Sequence, residues 1–140
     1  MLVQCLYASR PSAPFDAQRI ESILEQSRRN NPRLGITGIL CYTSDVFIQV
    51  LEGGRDEVCE LLNGIFRDDR HLDVRILVYE EIRERRFSNW TMGQVDISKV
   101  NTGLLLKYSR KPQIDPFRGS GLATMALIQE LVASAAIVNR

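Results

Sequence analysis

Gln49 is the residue whose position most suggests chemistry, because it lies in the middle of the apolar stretch "VFIQVLEG". Alternate side chains of a strand point to opposite faces, so Gln49 shares a face with Phe47 and Leu51. The other face is apolar as well. A buried amide without partners costs about 1–3 kcal/mol per unmet group. Gln49 therefore needs partners, which neighbouring backbone, another side chain or a ligand could supply.

Further polar residues cluster where two predicted helices end. Asn31 lies eleven residues after Ile20 and extends the apolar stripe of the first helix, with Asn30 beside it. The second helix ends in "FRDDRH", in which Asp68 follows the inward stripe. Two arginines and a histidine surround it: Arg67, Arg70 and His71. Capping by asparagine and cations placed against the helix dipole are the structural alternatives to a binding role.

Tyr7 completes the set, since its strand parity places it on the same face as Val3 and Cys5. If the two helices lie side by side on the sheet, Tyr7, Gln49 and the polar helix ends border one slot. Ile23 and Ile65 would form its apolar walls. Such a slot suits a flat heteroaromatic ligand. The sequence shows no nucleophile with an adjacent base, no phosphate-binding glycine loop and no metal-ligand set.

The elements that must position these residues alternate between strand and helix periodicity. Strands are predicted at Met1–Ala8, as two strands around a turn within Gly35–Gly54, from Val74 to Ile82, and at Asn89–Ile97. Helices are predicted from Phe15 to about Asn30, ended by Pro32, and from Arg55 to about Asp69. The order βαββαββ predicts an α+β, ferredoxin-like fold with both helices on one face of an antiparallel sheet.

The last part of the chain is expected to cover the other sheet face. The segment from Gly121 to Val138 is apolar, but Gln129 and Glu130 at its centre favour a packing helix over a membrane span. The side of this helix that would pack on the sheet or on a second subunit is Leu122, Met125, Ile128 and Val132. The sequence thus predicts a domain over residues 1–100 and a C-terminal helical extension over residues 101–140. A homodimer through the sheet face or this helix is an alternative use of the surface.

Composition limits the partners. The 140 residues are 44% hydrophobic and 25% charged, as expected for one globular domain, and the net charge of +1 argues against nucleic acid and anionic membranes. Cys5, Cys41 and Cys59 form no C-x-x-C pair, and the first residues do not form a signal peptide. These features predict a cytoplasmic protein.

The ordered motifs "LYAS", "SRRNN", "ITGIL", "VFIQVLEG", "RDDRH" and "RRFSNWTMG" resemble the BLUF domains, bacterial blue-light sensors that bind FAD. The resemblance extends over roughly the first hundred residues. It implies a short, stand-alone photoreceptor that is not an enzyme and whose signal passes to an unidentified partner protein. Whether FAD or FMN is bound in practice stays open at this point.

The resemblance also implies roles for individual residues. Tyr7 and Gln49 would be the photoactive pair, and light-driven electron and proton transfer from Tyr7 would rearrange the hydrogen bonds of Gln49. Ser9, Trp90 and Met92 match positions linked to signalling. The residues implied in flavin binding, besides Gln49, are Ile23, Asn30, Asn31, Ile65, Arg67, Asp68, Arg70 and His71.

Two other classes share parts of this pattern. A small ferredoxin-like enzyme, such as an acylphosphatase or a cofactor-free monooxygenase, would have the topology. The acylphosphatase loop is absent, and a monooxygenase would not explain Tyr7 together with Gln49. An interaction module would explain the apolar tail but not the polar slot.

Overall fold

The protein was examined as a computed structural model that describes residues 1–13 and 16–133. Its strands are β1 (Leu2–Pro11), β2 (Thr37–Tyr42), β3 (Phe47–Gly54), β4 (His71–Ile82) and β5 (Gly93–Asp96). Its helices are α1 (Ala17–Leu34), α2 (Arg55–Arg67), α3 (Thr102–Tyr108) and α4 (Gly121–Ala133), with a short 3-10 helix at Ile97–Lys99.

The strands form one sheet in the order β4-β1-β3-β2-β5, with the β2–β3 hairpin inside it. This confirms the predicted ferredoxin-like α+β fold. The prediction of a wholly antiparallel sheet is wrong at one edge, where β5 runs parallel to β2. The reason is the connection after β4, which crosses to the opposite edge and brings the chain in alongside β2.

The alternation of side chains along β3 divides the core into two layers. Phe47 and Leu51 pack with Ile20 and Leu24 of α1 and with residues of α2, so both helices cover the face that carries Gln49. The opposite face packs against residues of α3 and α4. We call these the helix face and the extension face.

Helix α1 does not end at Pro32, as the sequence predicted; it continues through this proline to Leu34. A proline in the last turn removes only its own N–H from the helix ladder, which leaves the earlier turns intact. The helix ends at Gly35, whose left-handed backbone (φ 68°) is accessible to glycine at little cost. The Ile36 N–H donates to the Asn31 carbonyl over 2.9 Å, which completes the C-terminal cap.

Several strand boundaries also differ from prediction, among them the start of β4, which lies at His71 rather than Val74. β1 extends to Pro11, because its last residues pair with the start of β4. β5 begins only at Gly93, so Trp90 and Met92 lie in the connection before it rather than in a strand. The Gly38 N–H of β2 donates to the Trp90 carbonyl over 3.0 Å, which holds this connection against the sheet edge.

The final helix covers the extension face, as predicted, but the side of the helix that is buried differs from the predicted side. Met125 and Ile128 are buried, whereas Leu122 is 77% exposed, so the prediction that it packs on the sheet is wrong and only its packing on a second subunit stays a prediction. Thr124, Leu127 and Leu131 are the additional buried residues, and Val132 packs against the same core at its edge. The part of this helix predicted beyond Ala133 lies outside the described residues, as does Phe15 at the predicted start of α1. Within residues 1–13 and 16–133, no helix has the length and apolar character to cross a bilayer.

Candidate functional site

A cavity of about 350 Å³ opens between α1 and α2 on the helix face. Its floor comes from β1 and β3, and its walls come from the two helices. The structure brings nine of the predicted site residues to its surface: Tyr7, Ile23, Asn30, Asn31, Gln49, Ile65, Asp68, Arg70 and His71. Ile23 and Ile65 contribute one apolar side chain from each helix, so the slot has the apolar walls and polar end expected from the sequence.

Tyr7 and Gln49 lie directly opposite each other on the paired strands β1 and β3. The Tyr7 hydroxyl donates a hydrogen bond to Gln49 Oε1. Gln49 Nε2 donates in turn to the sulfur of Met92 over 3.3 Å. Both ends of the buried amide are thus engaged by side chains rather than by backbone, which was the structural alternative considered for Gln49.

The Tyr7 hydroxyl is held in its protonated form. Burial, with smaller contributions from the nearby Cys5 and Asp68, raises the pKa of Tyr7 well above its ordinary value. Tyr7 is therefore a hydrogen-bond donor throughout the neutral pH range. Gln49 Oε1 accepts from it while Nε2 donates to Met92, and these two contacts together define the orientation of the amide in this structure.

Asn31 is inside α1 and does not cap it, because Gly35 provides the cap. Its side chain is 2% exposed, and its Nδ2 donates to the Thr91 carbonyl over 3.1 Å. No donor among the described residues reaches its Oδ1. Asn31 therefore joins α1 to the connection before β5, and it also lines the cavity.

The mouth of the cavity is closed at one end by an ion pair. Asp68 Oδ2 lies 2.6 Å from Arg70 Nη2, and both carboxylate oxygens accept from Arg70 Nε at 3.0 Å. This contact lowers the pKa of Asp68. Arg70 Nη2 also donates to Gln26 Oε1 of α1 over 3.1 Å, so the end of α2 is tied to α1 across the opening.

His71 forms the other side of the same end. Its Nδ1 lies 2.8 Å from Ser9 Oγ, and its ring packs on Phe47 with centroids 5.0 Å apart. Burial is the main cause that lowers the pKa of His71, against an opposing effect of Asp68. A neutral imidazole at this position can either donate or accept, since one ring nitrogen carries a proton and the other does not.

Four predicted residues do not line the cavity. Ser9 is fully buried behind His71, and Met92 is fully buried behind Gln49. Trp90 packs at the edge of the extension face, and its Nε1 is buried without a hydrogen-bond partner in the described part of the chain. Arg67 is exposed and lies outside the cavity lining.

Other lining residues were not predicted as site residues: Gln26, Ser27, Leu34, Leu40, Phe47, Glu60, Leu61 and Gly64. Phe47 could have been found, because it shares strand parity with Gln49. Gly64 could also have been found, because glycine inside a helix destabilises the helix by about 1 kcal/mol relative to alanine, so its presence suggests a role in packing or binding. A Cβ added there would meet no heavy atom within 4 Å, so Gly64 leaves the wall of α2 open toward the cavity.

The fold and the cavity together define a ferredoxin-like domain that binds a small molecule between its two helices. The chain belongs to the BLUF family, sensors of blue-light using FAD, whose family model matches residues 2–93. FAD is accordingly its cofactor, and the chain is a blue-light sensor. The match covers both helices and every lining residue of the cavity.

Relatives with known roles agree with this assignment. The chain is 34% identical over 92 residues to the photoactivated adenylate cyclase subunit beta of Euglena longa, covering 65% of this chain and 11% of that protein. It is 29% identical to the blue light- and temperature-regulated antirepressor BluF of Escherichia coli K12, over 69% of this chain and 24% of that protein. The chain thus spans about a tenth to a quarter of the length of these relatives.

Two solved structures match over nearly their whole length. The dark-state structure of BlrB, a BLUF protein, has a TM-score of 0.80 and 33% identity, with 96% of each chain covered. The photo-activated state of BlsA has a TM-score of 0.81 and 28% identity, with 94% of this chain and 95% of that chain covered.

The residues present suit an isoalloxazine ring. The walls formed by Ile23 and Ile65 are apolar, as the two faces of the ring require, and Gly64 adds no side chain between them. Gln49 on the cavity floor and Asn31 and Arg70 at one end supply donors and acceptors, and the helices add the polar side chains of Gln26, Ser27 and Glu60. An apolar side chain from each helix, with polar groups around the cavity, suits a flat heteroaromatic ligand.

Proposed function

We propose that this chain detects blue light through the hydrogen-bonded series Tyr7, Gln49 and Met92. The observation that carries the proposal is the orientation of the Gln49 amide, which accepts from Tyr7 and donates to Met92. A planar amide can exchange its donor and acceptor ends with almost no change in volume. Gln49 can therefore reverse its hydrogen bonds inside a packed core.

Flavin binding is assigned to the cavity residues and one neighbour. Ile23 and Ile65 contact the two faces of the ring, and Gln49 and Asn31 bind its polar edges. The residues at the α2 end and beside Asn31 bind the remaining polar groups of the cofactor: Asn30, Arg67, Asp68, Arg70 and His71. Arg67 is exposed outside the cavity, so in this proposal it contacts the part of FAD that extends beyond the ring.

When bound, the flavin would absorb blue light and supply a reversible acceptor for one electron and one proton. Tyr7 would pass an electron and its hydroxyl proton to this acceptor and later regain both, so no net turnover would occur. The loss and return of this proton let Gln49 rotate or tautomerise, which changes what the amide offers to Met92. The raised pKa of Tyr7 ensures that the hydroxyl carries its proton before each event.

The new state of Gln49 reaches the rest of the molecule through Met92 and the connection before β5. This connection also carries Trp90, and Asn31 and Gly38 hold it by hydrogen bonds to Thr91 and Trp90. Ser9 contributes by holding His71 at the cavity end. We assign residues 1–100 to the flavin domain and residues 101–140 to an extension that carries the output.

The output in this proposal is a change in binding to a partner protein in the cytoplasm, without catalysis by this chain. Two of the relatives are named as an adenylate cyclase subunit and as an antirepressor, and the matching region is only part of each. Of the two homodimer surfaces considered, α3 and α4 already cover the sheet face, which leaves the outer side of α4. Leu122, which is 77% exposed, lies on that side.

Absorption spectroscopy of the purified protein tests the proposal. We expect a yellow protein whose visible flavin bands move slightly to the red under blue light and return in darkness. Chromatography of the flavin released by denaturation will distinguish FAD from FMN. A flavin-loaded protein whose spectrum bleaches or stays constant under blue light contradicts the proposed photocycle.

A further inference from the structure

A second cavity, of about 570 Å³, lies where the connection between α3 and α4 folds back on α4. We call it the α3–α4 cavity. Residues 109–120 form one side, and the first turns of α4 form the other. Tyr108, Ile114 and Leu127 give it an apolar floor, and Leu127 is itself 1% exposed within the core of the extension face.

The wall of this cavity is fixed to the sheet. Phe117 packs at the edge of the extension-face core, and the Arg10 guanidinium lies 4.0 Å from the centre of its ring. Arg10 belongs to β1, the strand that carries Tyr7, and pairs with Asp73 of β4 at 3.6 Å. The connection is therefore anchored by a buried apolar contact and a cation–π contact.

Three cations line the cavity: Arg110, Lys111 and Arg118. None has an ion-pair partner in residues 1–13 and 16–133. The one lining acid, Asp115, is already engaged, because its Oδ1 accepts from the N–H groups of Phe117 and Arg118. Glu130, behind Tyr108, pairs with Lys107.

The cavity lining carries more cations than anions, unlike the rest of the chain. The cavity takes three of the 18 Lys and Arg and one of the 17 Asp and Glu, so the rest of the sequence has fifteen cations and sixteen anions. Unpaired cations around an apolar floor suit a ligand that combines carboxylates with an apolar side chain. A nucleic acid or an anionic bilayer would instead need a broad basic surface, which the small net charge does not provide.

We propose that the α3–α4 cavity binds an acidic segment of a partner protein, with an apolar side chain of that segment on the Tyr108–Leu127 floor. The role of this cavity in passing on the light signal rests on the proposed function. The binding of the acidic segment itself does not require light. The cavity adjoins the core of the extension face through Leu127, and this core also contains Leu6 and Ile48, neighbours of Tyr7 and Gln49. Light could thus alter the affinity of a site that exists in the dark.

The test uses the flavin-loaded full chain and a labelled six-residue peptide of alternating glutamate and leucine. We expect the peptide to shift backbone NMR signals of residues 108–127. Replacement of all three cations (Arg110→Gln, Lys111→Gln, Arg118→Gln) should weaken binding by about tenfold or more, since each exposed ionic contact contributes modestly. The matched control removes three exposed cations elsewhere: Arg33→Gln, Arg83→Gln and Lys99→Gln.

Equal binding by wild type and the triple variant, or the absence of shifts in residues 108–127, would overturn the inference. Equal binding of a peptide with glutamine in place of glutamate would overturn the acidic character of the ligand. Tighter binding of duplex DNA or anionic vesicles through the same cations would replace the protein partner with another class.

The single variants Lys111→Gln and Arg118→Gln repeat the test if the triple variant does not fold. The light-induced red shift is recorded separately, so a failed photocycle and a failed docking site are distinguishable.

Discussion

Glu52 accepts a 2.7 Å hydrogen bond from the backbone N–H of Phe87, which joins the end of β3 to the connection that leads to β5. Its carboxylate is fully buried and also accepts from Gln4 Nε2 at 2.9 Å and from the Arg86 N–H at 3.1 Å. The glutamate of "VLEG" is thus a structural residue that fixes the start of the segment carrying Trp90 and Met92.

Glu52→Ala should therefore destabilise the fold strongly, because it leaves two buried donors and one partly buried donor without an acceptor. We expect a loss of about 3 kcal/mol in the free energy of unfolding, measured by urea denaturation of the apoprotein. Glu81→Ala, an exposed glutamate on β4, is the control and should change it by less than about 0.5 kcal/mol. A Glu52→Ala protein as stable as this control would show that the hydrogen bonds of the carboxylate make no net contribution to the free energy of unfolding.

Tyr7→Phe and Gln49→Leu should each retain flavin but lose the reversible red shift. Each change removes a hydrogen-bonding group while the apolar walls of the cavity remain. Absorption spectra before and during blue illumination give the result, with Tyr79→Phe on the outer surface of β4 as the control. A normal photocycle in either cavity variant would reject the assigned pair.

Asn31→Ala should weaken flavin binding without unfolding the protein. The change removes an amide from the cavity lining, together with its bond to the Thr91 carbonyl. A lost buried hydrogen bond of about 1–3 kcal/mol corresponds to a rise of roughly 5- to 150-fold in Kd, measurable by flavin titration of the apoprotein. Asn63→Ala on the exposed side of α2 is the control. Unchanged affinity and dark spectrum would leave Asn31 with a structural role alone.

The stability of the apoprotein should fall as the pH is lowered from about 7 toward 5. His71 is the one histidine in the sequence, and its pKa in the folded chain is lowered chiefly by burial. Below the ordinary histidine value the unfolded chain takes up a proton that the folded chain does not, so acid favours unfolding in this range. His71→Gln should flatten the dependence, whereas Asp68, whose pKa is lowered, stays ionised throughout. The same slope in wild type and His71→Gln would exclude His71 as its source.

Strand parity explains why the helix-face residues of the site could be predicted. A period of two places Tyr7 and Gln49 on the face that the helices must cover, and the helical period places Asn31 and Ile65 at its border. These inferences need only local geometry. The hydrogen bond from Gln49 to Met92 could not be predicted, since Met92 reaches Gln49 from a connection that belongs to no strand.

Sequence patterns gave wrong predictions where tertiary contacts determine the structure, as at the end of α1 and on the buried side of α4. Pro32 favours a helix end, but it lies in the last turn, and the cap formed by Gly35 and Ile36 stabilises the longer helix. α4 is apolar around most of its circumference, so periodicity alone could not select its buried side. Leu127 and Leu131 are buried and Leu122 is not, because packing against the extension face determines which side of α4 points toward the sheet.

Gly121, the first residue of α4, lies against the backbone of β4, and this contact makes α4 a sensitive point for the output. A Cβ added to Gly121 would lie 2.7 Å from the Leu77 carbonyl oxygen, which belongs to rigid backbone. Leu77 is the extra residue in the β1–β4 pairing, because Leu6 faces Val78 while Tyr7 faces Ile76. The start of α4 thus touches the strand irregularity beside Tyr7.

Gly121→Ala should consequently loosen the docking of α4, since the added methyl forces helix and strand apart at a cost of about 1–3 kcal/mol. We expect faster amide hydrogen exchange in α4 in the dark, while the flavin red shift is retained. In the wild type, blue light should change the exchange of α4 and of the segment around Met92, and this difference should shrink in Gly121→Ala. Leu122→Ala, at the adjacent exposed position, is the control. Identical exchange of α4 in light and dark, with an intact red shift, would show that the extension does not carry the signal.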